Sequence, residues 1–243
     1  MGCNVSIHLE FTPIDKVEEF VYEELLDMGF KTDQINDIYS IFASMDVDHT
    51  HMINQEEFLF KFGLEPTPFI RRVFKVMDMD NSGELNFIEF IISMWNFLCN
   101  DEKSLGEFIY LLVPKTPSEI REKRTATSKI GEMIKAIHMK TDGGDADDAL
   151  DLQIKKIETK HPTNIMSEEF RQHIYENQSI LIPVLKAQSK IREHLLGSDF
   201  WIKLTKKRWK YSKFQDSEYP MKLRKQLEKK MTEVCLILSL SLI

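Results

Sequence analysis

Cysteine is scarce in this chain. Cys3, Cys99 and Cys235 are odd in number and far apart, which excludes a disulfide framework or a zinc-type spacing and points to an intracellular protein. The sequence does not open on a basic patch followed by an apolar run, so no secretory signal is expected. No run approaches the ~20 apolar residues that a membrane span needs. The nearest, Val234–Ile243, is half as long. Catalytic signatures are missing as well. There is no nucleophile–base set, no glycine-rich phosphate loop and no zinc cluster, and His8, His138, His161, His173 and His194 are scattered. A non-enzymatic protein is expected.

What is present supports a folded, acidic body. The 243 residues are enough for one large domain or two small ones, and 42% hydrophobic content can form a real core. Residues 200–230 hold eleven basic side chains and three acidic ones, a local charge of +8, within a chain whose net charge is −7. The remainder therefore carries −15, as suits a cation-binding body with a basic tail.

The strongest motif is Asp78-Met-Asp-Asn-Ser-Gly-Glu-Leu-Asn-Phe-Ile-Glu89. Oxygen ligands fall at positions 1, 3 and 5 of a twelve-residue loop (Asp78, Asp80, Ser82), with the backbone carbonyl of Glu84 at position 7. Asn86 at position 9 can act directly or through water, and Glu89 at position 12 is long enough to bind bidentately. Gly83 permits the positive φ of the sharp turn. This donor set suits Ca2+, a hard cation that takes six to eight oxygens. Thr67-Pro68 marks a helix start, followed by Ile70, Val73, Phe74 and Met77 at helical spacing. Phe90, Ile91, Met94 and Trp95 form an apolar face after the loop.

The pattern recurs at Asp46–Glu57. Asp46, Asp48, Thr50, Asn54 and Glu57 keep the ligand positions, and Met52 offers the position-7 carbonyl. His51 replaces the expected glycine, at a cost on the order of 1 kcal/mol in the left-handed conformation, so weaker binding is expected. Ile53 and Leu85 occupy position 8, where paired loops form a short β-ribbon.

On these motifs the chain resembles the EF-hand superfamily, whose members pair such loops, often as four in two lobes. Two further hands are expected in degenerate form: Val113–Arg124, with Ile120 at position 8, and Glu158–Glu169, with Ile165 at position 8. Neither keeps the calcium ligands. The acidic, glycine-rich Asp142–Asp148 is expected to be a solvated linker. The expected fold is all-α: EF-hand helix–loop–helix pairs with short β-ribbons, a divergent second lobe and C-terminal helices. Its expected divisions are residues 1–30, 31–100, 101–175 and 176–243.

Met1-Gly-Cys-Asn-Val-Ser6 fits the N-myristoylation pattern, with Gly2 as the acylated residue and Cys3 placed for palmitoylation. With the loops, this resembles the calcineurin regulatory subunit and recoverin-type neuronal calcium sensors over about residues 30–175. The resemblance implies a cytoplasmic, membrane-associated calcium sensor. Its partner would be a target protein such as a phosphatase or other signalling enzyme. A calcium buffer and a constitutive EF-hand scaffold or regulatory subunit are the alternatives.

Phe200–Phe214 interleaves aromatics with cations. It suits an anionic membrane, a helix that folds back into the protein's own apolar groove, or an ordinary basic surface helix with aromatics packed inward. Nucleic acid is disfavoured by the acidic body. Met45, Met52, Met77, Met79 and Met94, five of the twelve methionines, cluster around the loop pair as either groove or core.

Overall fold

The computed structural model describes residues 15–139 and 148–208. The proposed acylation site at Gly2 and Cys3, most of the acidic linker and the tail beyond residue 208 lie outside the described residues. The chain runs as α1 (Asp15–Asp27), α2 (Thr32–Ala43), β1 (Ile53–Asn54), α3 (Gln55–Phe62), α4 (Pro68–Met77), β2 (Glu84–Leu85) and α5 (Phe87–Leu98). The second half continues as α6 (Glu102–Leu112), α7 (Pro117–Glu122), β3 (Arg124–Ala126), α8 (Thr127–His138), α9 (Asp148–Lys160), β4 (Asn164–Met166) and α10 (Ser167–Glu176). A 3₁₀ turn (Gln178–Leu181), α11 (Ile182–His194) and α12 (Ser198–Arg208) follow. The expected all-α class with short ribbons is therefore observed.

Local chemistry sets most of these boundaries. Thr67 caps α4 by accepting from the Ile70 N–H, with Pro68 at the first helical position. Asn54 and Asn86 cap α3 and α5, and Glu57 and Glu89 close reciprocal capping boxes. The face of α4 predicted from its spacing (Ile70, Val73, Phe74, Met77) is buried. Met45, Met77, Met79 and Met94 are buried too, as core rather than as an open groove.

Each ribbon joins two hands. Ile53 stands opposite Leu85 in the antiparallel β1–β2 pair, and both are fully buried. The β3–β4 pair sets Thr125 opposite Ile165. Ile165 therefore holds the position expected for it. The expected register of the third loop is corrected: Thr125, not Ile120, takes position 8, and Ile120 is 63% exposed. The cause is local. Thr116 accepts from the Glu119 N–H while Glu119 accepts from the Thr116 N–H. This capping box nucleates α7 inside the expected loop, and the ribbon starts only after Lys123 turns left-handed at φ 54°.

In the corrected register Lys129 falls at position 12, where the first two loops have glutamate. Its Nζ lies 2.6 Å from Glu119 Oε2, and Glu119 Oε1 accepts from the Ala126 N–H at 2.8 Å. The third loop thus closes with a cation of its own. In the fourth, Glu169 Oε2 accepts from the Met166 N–H, and His161 Nδ1 lies 3.6 Å from Glu169 Oε1. The two hand pairs share one continuous core, with α4 packed on α8.

The Lys129 ammonium, then the Thr116 and Ala126 N–H groups, hold the Glu119 carboxyl down to about 2 from its usual 4.5. A depressed carboxyl stabilises fully above pH 4.5, and that contribution is lost as pH falls towards about 2. Lys129→Met should remove on the order of 1–3 kcal/mol at neutral pH and flatten the decline of stability across this window. Denaturant unfolding of both proteins at several acid pH values measures the two slopes. Equal slopes would show that the pair contributes nothing.

Candidate metal centres on the first ribbon

Two carboxylate clusters flank the β1–β2 ribbon. Asp46, Asp48 and Glu57 form one, and Asp78, Asp80 and Glu89 the other; in each, the ligand oxygens lie within 4.8 Å of one another. The aspartate and glutamate residues singled out as side-chain ligands are thereby brought together in both loops. Asp46, Asp78 and Glu89 are buried. Gathering three carboxylates at the edge of a core is unfavourable without compensating charge or hydrogen bonds.

The loop supplies the hydrogen bonds, and the two networks match position by position. In the first, Asp46 accepts from the N–H groups of Thr50 and His51, both at 2.9 Å. In the second, Asp78 accepts from those of Ser82 at 3.0 Å and Gly83 at 2.9 Å. Asp48 and Asp80 accept from the Thr50 and Ser82 N–H groups. The Thr50 hydroxyl donates to the Met52 carbonyl at 3.3 Å, and the Ser82 hydroxyl to the Glu84 carbonyl at 3.0 Å. Positions 5 and 7 of each loop are therefore adjacent.

Glu57 and Glu89 reach back across their loops. Glu57 accepts from Val47 N–H at 2.9 Å and Asn54 N–H at 3.0 Å. Glu89 accepts from Met79 N–H at 2.8 Å and Asn86 N–H at 2.9 Å. Asn54 and Asn86 have a second task beside the one expected of them: their Oδ1 atoms accept from the Glu57 and Glu89 N–H groups as helix caps.

The electrostatics separate the carboxyls. Burial opposes ionisation of Asp46, but the His51 and Thr50 N–H groups outweigh it and lower its pKa. Burial acts likewise on Asp80, where the Ser82 hydroxyl and N–H prevail. At Glu89 burial wins over the bonds from Asn86 and Met79, and the pKa is raised. The second loop therefore presents a buried carboxyl that is costly to ionise alone, a cost that a bound divalent cation offsets.

The donors fit calcium. Two aspartates, a hydroxyl, a backbone carbonyl and a bidentate glutamate can supply six oxygens, and water can complete the shell. All are hard oxygen ligands, as that ion prefers.

Backbone conformation distinguishes the loops. Positions 4 and 6 are left-handed in both: His49 (φ 59°) and His51 (φ 63°) in the first, Asn81 (φ 58°) and Gly83 (φ 91°) in the second. Asparagine and glycine are at home there, whereas the first loop places two histidines in strained positions. The sequence flags His51. The strain at His49 is missed because position 4 carries no ligand.

No protein-family model matches the chain. Among curated proteins it is 35% identical over 75 residues to the calcineurin B subunit of Candida glabrata, covering 30% of this chain and 43% of that protein. It is 35% identical over 82 residues to the type 2 calcineurin B subunit of Homo sapiens, covering 33% and 48%. It is 31% identical over 85 residues to the calcineurin B subunit of Naegleria gruberi, covering 35% and 48%. The chain spans about half the length of the curated relatives it matches. These similarities support the resemblance to the EF-hand superfamily and to the calcineurin regulatory subunit.

Replacing His51 by glycine should relieve about 1 kcal/mol of left-handed strain and tighten calcium at the first loop about fivefold. Affinity at Asp78–Glu89 should be unchanged. Calcium titration of His51→Gly beside the wild type checks this, and equal first-loop affinities would refute the strain argument.

Proposed function

We propose that this chain is a non-enzymatic, calcium-binding regulatory protein that changes its affinity for a partner protein when the two loops bind Ca2+. The observation that carries this reading is the duplicated carboxylate network on one ribbon. Asp46, Asp48, Thr50, Met52, Asn54 and Glu57 would hold one ion. Asp78, Asp80, Ser82, Glu84, Asn86 and Glu89 would hold the other. Bound calcium supplies the positive charge that permits these carboxylates to stay ionised together.

Regulation follows from where the glutamates sit. Glu57 and Glu89 lie in the first turns of α3 and α5, helices that place Phe58, Phe62, Phe90 and Trp95 in the core. Recruiting a glutamate to an ion changes the hydrogen bonds that fix its helix to the loop, and so biases the helix pair between arrangements. A buffer would bind without moving these helices. The relatives are named as one subunit of a larger assembly, which supports a protein partner, such as a phosphatase or another signalling enzyme. The Gly2–Cys3 pattern supports an intracellular, acylated protein tethered to an anionic membrane. Among the described residues no helix is long and apolar enough to cross a membrane.

Calcium calorimetry on the wild type, Glu57→Gln and Glu89→Gln tests the reading. Two events with dissociation constants of roughly 10⁻⁷–10⁻⁵ M are expected, each lost with its own glutamate while the other persists. The surviving event reports that each variant remains folded. The absence of calcium binding in the wild type would sink the proposal.

A further inference from the structure

The turn from α1 into α2 comes close to α12. Gly29 stands there at φ 98°, a left-handed conformation that suits glycine. A Cβ at this position would come within 3.1 Å of Leu204 Cδ1 and 3.4 Å of Lys207 Cδ. A larger residue would therefore press on α12. Phe30, next in the chain, meets Phe200 with 6.0 Å between ring centres and Trp201 edge-on at 6.0 Å. Phe200 is thus held in place by two other rings, Phe30 and the fully buried Trp201.

A cavity of about 350 Å³ lies beside this contact, within the roughly 300–1,000 Å³ typical of small-molecule sites. Three lysines line it: Lys31 at the start of α2, and Lys203 and Lys207 one turn apart on α12. No carboxylate lines it, and none of the three lysines forms an ion pair with a described residue. Gln34 Oε1 accepts from the Lys31 N–H at 3.0 Å, which leaves the Gln34 amide NH2 as a further donor in the lining. Phe200 and Leu204 supply an apolar wall. Three like charges around one cavity repel one another, and nothing in the lining offsets them. In a chain of net charge −7, such a place suits an anion from outside.

We propose that this cavity binds an organic polyphosphate, an anion with two or more phosphate groups on a carbon skeleton. The lysines on its two sides call for more than one phosphate, because a single charge would leave most of the repulsion in place. The wall of Phe200 and Leu204 calls for a carbon skeleton, which a bare inorganic ion lacks. The same chemistry is offered by a soluble phosphate ester and by the phosphorylated headgroup of a lipid. A bound anion would bridge the start of α2 and α12, and so tie the first hand to the end of the described chain. The site uses none of the calcium ligands, goes beyond the regulatory reading and stands without it.

The probe is inositol trisphosphate, titrated by calorimetry into the full-length protein in calcium-free, low-salt buffer. One molecule should bind per chain. Lys203→Gln/Lys207→Gln, at two exposed positions, should weaken it about tenfold or more. Lys155→Gln/Lys156→Gln removes the same charge from the exposed face of α9 and should leave the affinity unchanged. No binding to wild type, or equal losses in the two double variants, would overturn the proposal. Vesicles of phosphatidylcholine with and without phosphatidylinositol bisphosphate then separate the two sources. Binding only to the bisphosphate vesicles, displaced by free trisphosphate, upholds the site with a lipid headgroup as ligand. Binding of the trisphosphate in solution without vesicle binding upholds it with a soluble ligand. Vesicle binding that the trisphosphate does not displace would overturn it, because attraction would then lie outside the cavity. The outcome is independent of the calcium titrations: a protein that binds no calcium but holds the trisphosphate would lose only the regulatory reading.

Discussion

The burial of α5 governs the architecture. An apolar stripe on one side would have made an ordinary exiting helix of a hand, with its far face in water. Instead Phe87–Leu98 is apolar nearly all round, with Trp95 and Phe97 fully buried on different sides. Burying a large aromatic stabilises by roughly 1.5–3 kcal/mol over leaving it exposed, so several such residues dictate that something must cover them. α2 and α4 cover part of the surface, and α11 covers another part. α5 is therefore covered on most sides by the chain itself.

The ribbons explain how four hands can share a fold when only two keep the ligands. What a hand pair needs structurally is the position-8 contact and a carboxylate that closes the loop on the position-9 N–H. Glu57, Glu89 and Glu169 each provide that closure from position 12. In the third loop Glu119 reaches the same N–H from the other side, and Lys129 pairs with it. An ammonium fixed by a covalent stem cannot leave, so this lobe holds its charge balance whatever the calcium level. The first pair, with three carboxylates per loop and no such lysine, has no equivalent.

Much of this was legible because it is written in short-range chemistry. Asp, Asp, Ser or Thr, and Glu at fixed offsets announced both clusters, and Thr67-Pro68 announced α4. The third loop is obscured in the sequence for a physical reason. A capping box at Thr116–Glu119 competes with loop formation, and apolar Ile120 offered a false position 8, whereas the buried partner of Ile165 is the polar Thr125. The grip of Gln188 and Arg192 on α5 could not be read at all. It joins residues about ninety positions apart, and nothing in a lone glutamine signals which distant carbonyl it will meet. The aromatic–cation stretch admits several readings from sequence; up to residue 208 its Trp201 packs inward on Phe30 and its Arg208 lies over the Trp95 ring.

The two ends of α5 are fixed by different contacts, joined by the helix between them. Glu89 sits in its first turn, and the Phe97 and Leu98 carbonyls held by Gln188 and Arg192 lie in its last. Eight or nine residues separate these groups, about 13 Å along a rigid rod. Packed on most sides, that rod cannot slide gradually; it can only exchange one close-packed arrangement for another. If calcium at Glu89 favours one arrangement, and α11 and α12 dock better in one than in the other, the two events are coupled. By linkage, whatever displaces α11 and α12 must then change calcium affinity by the same factor in return.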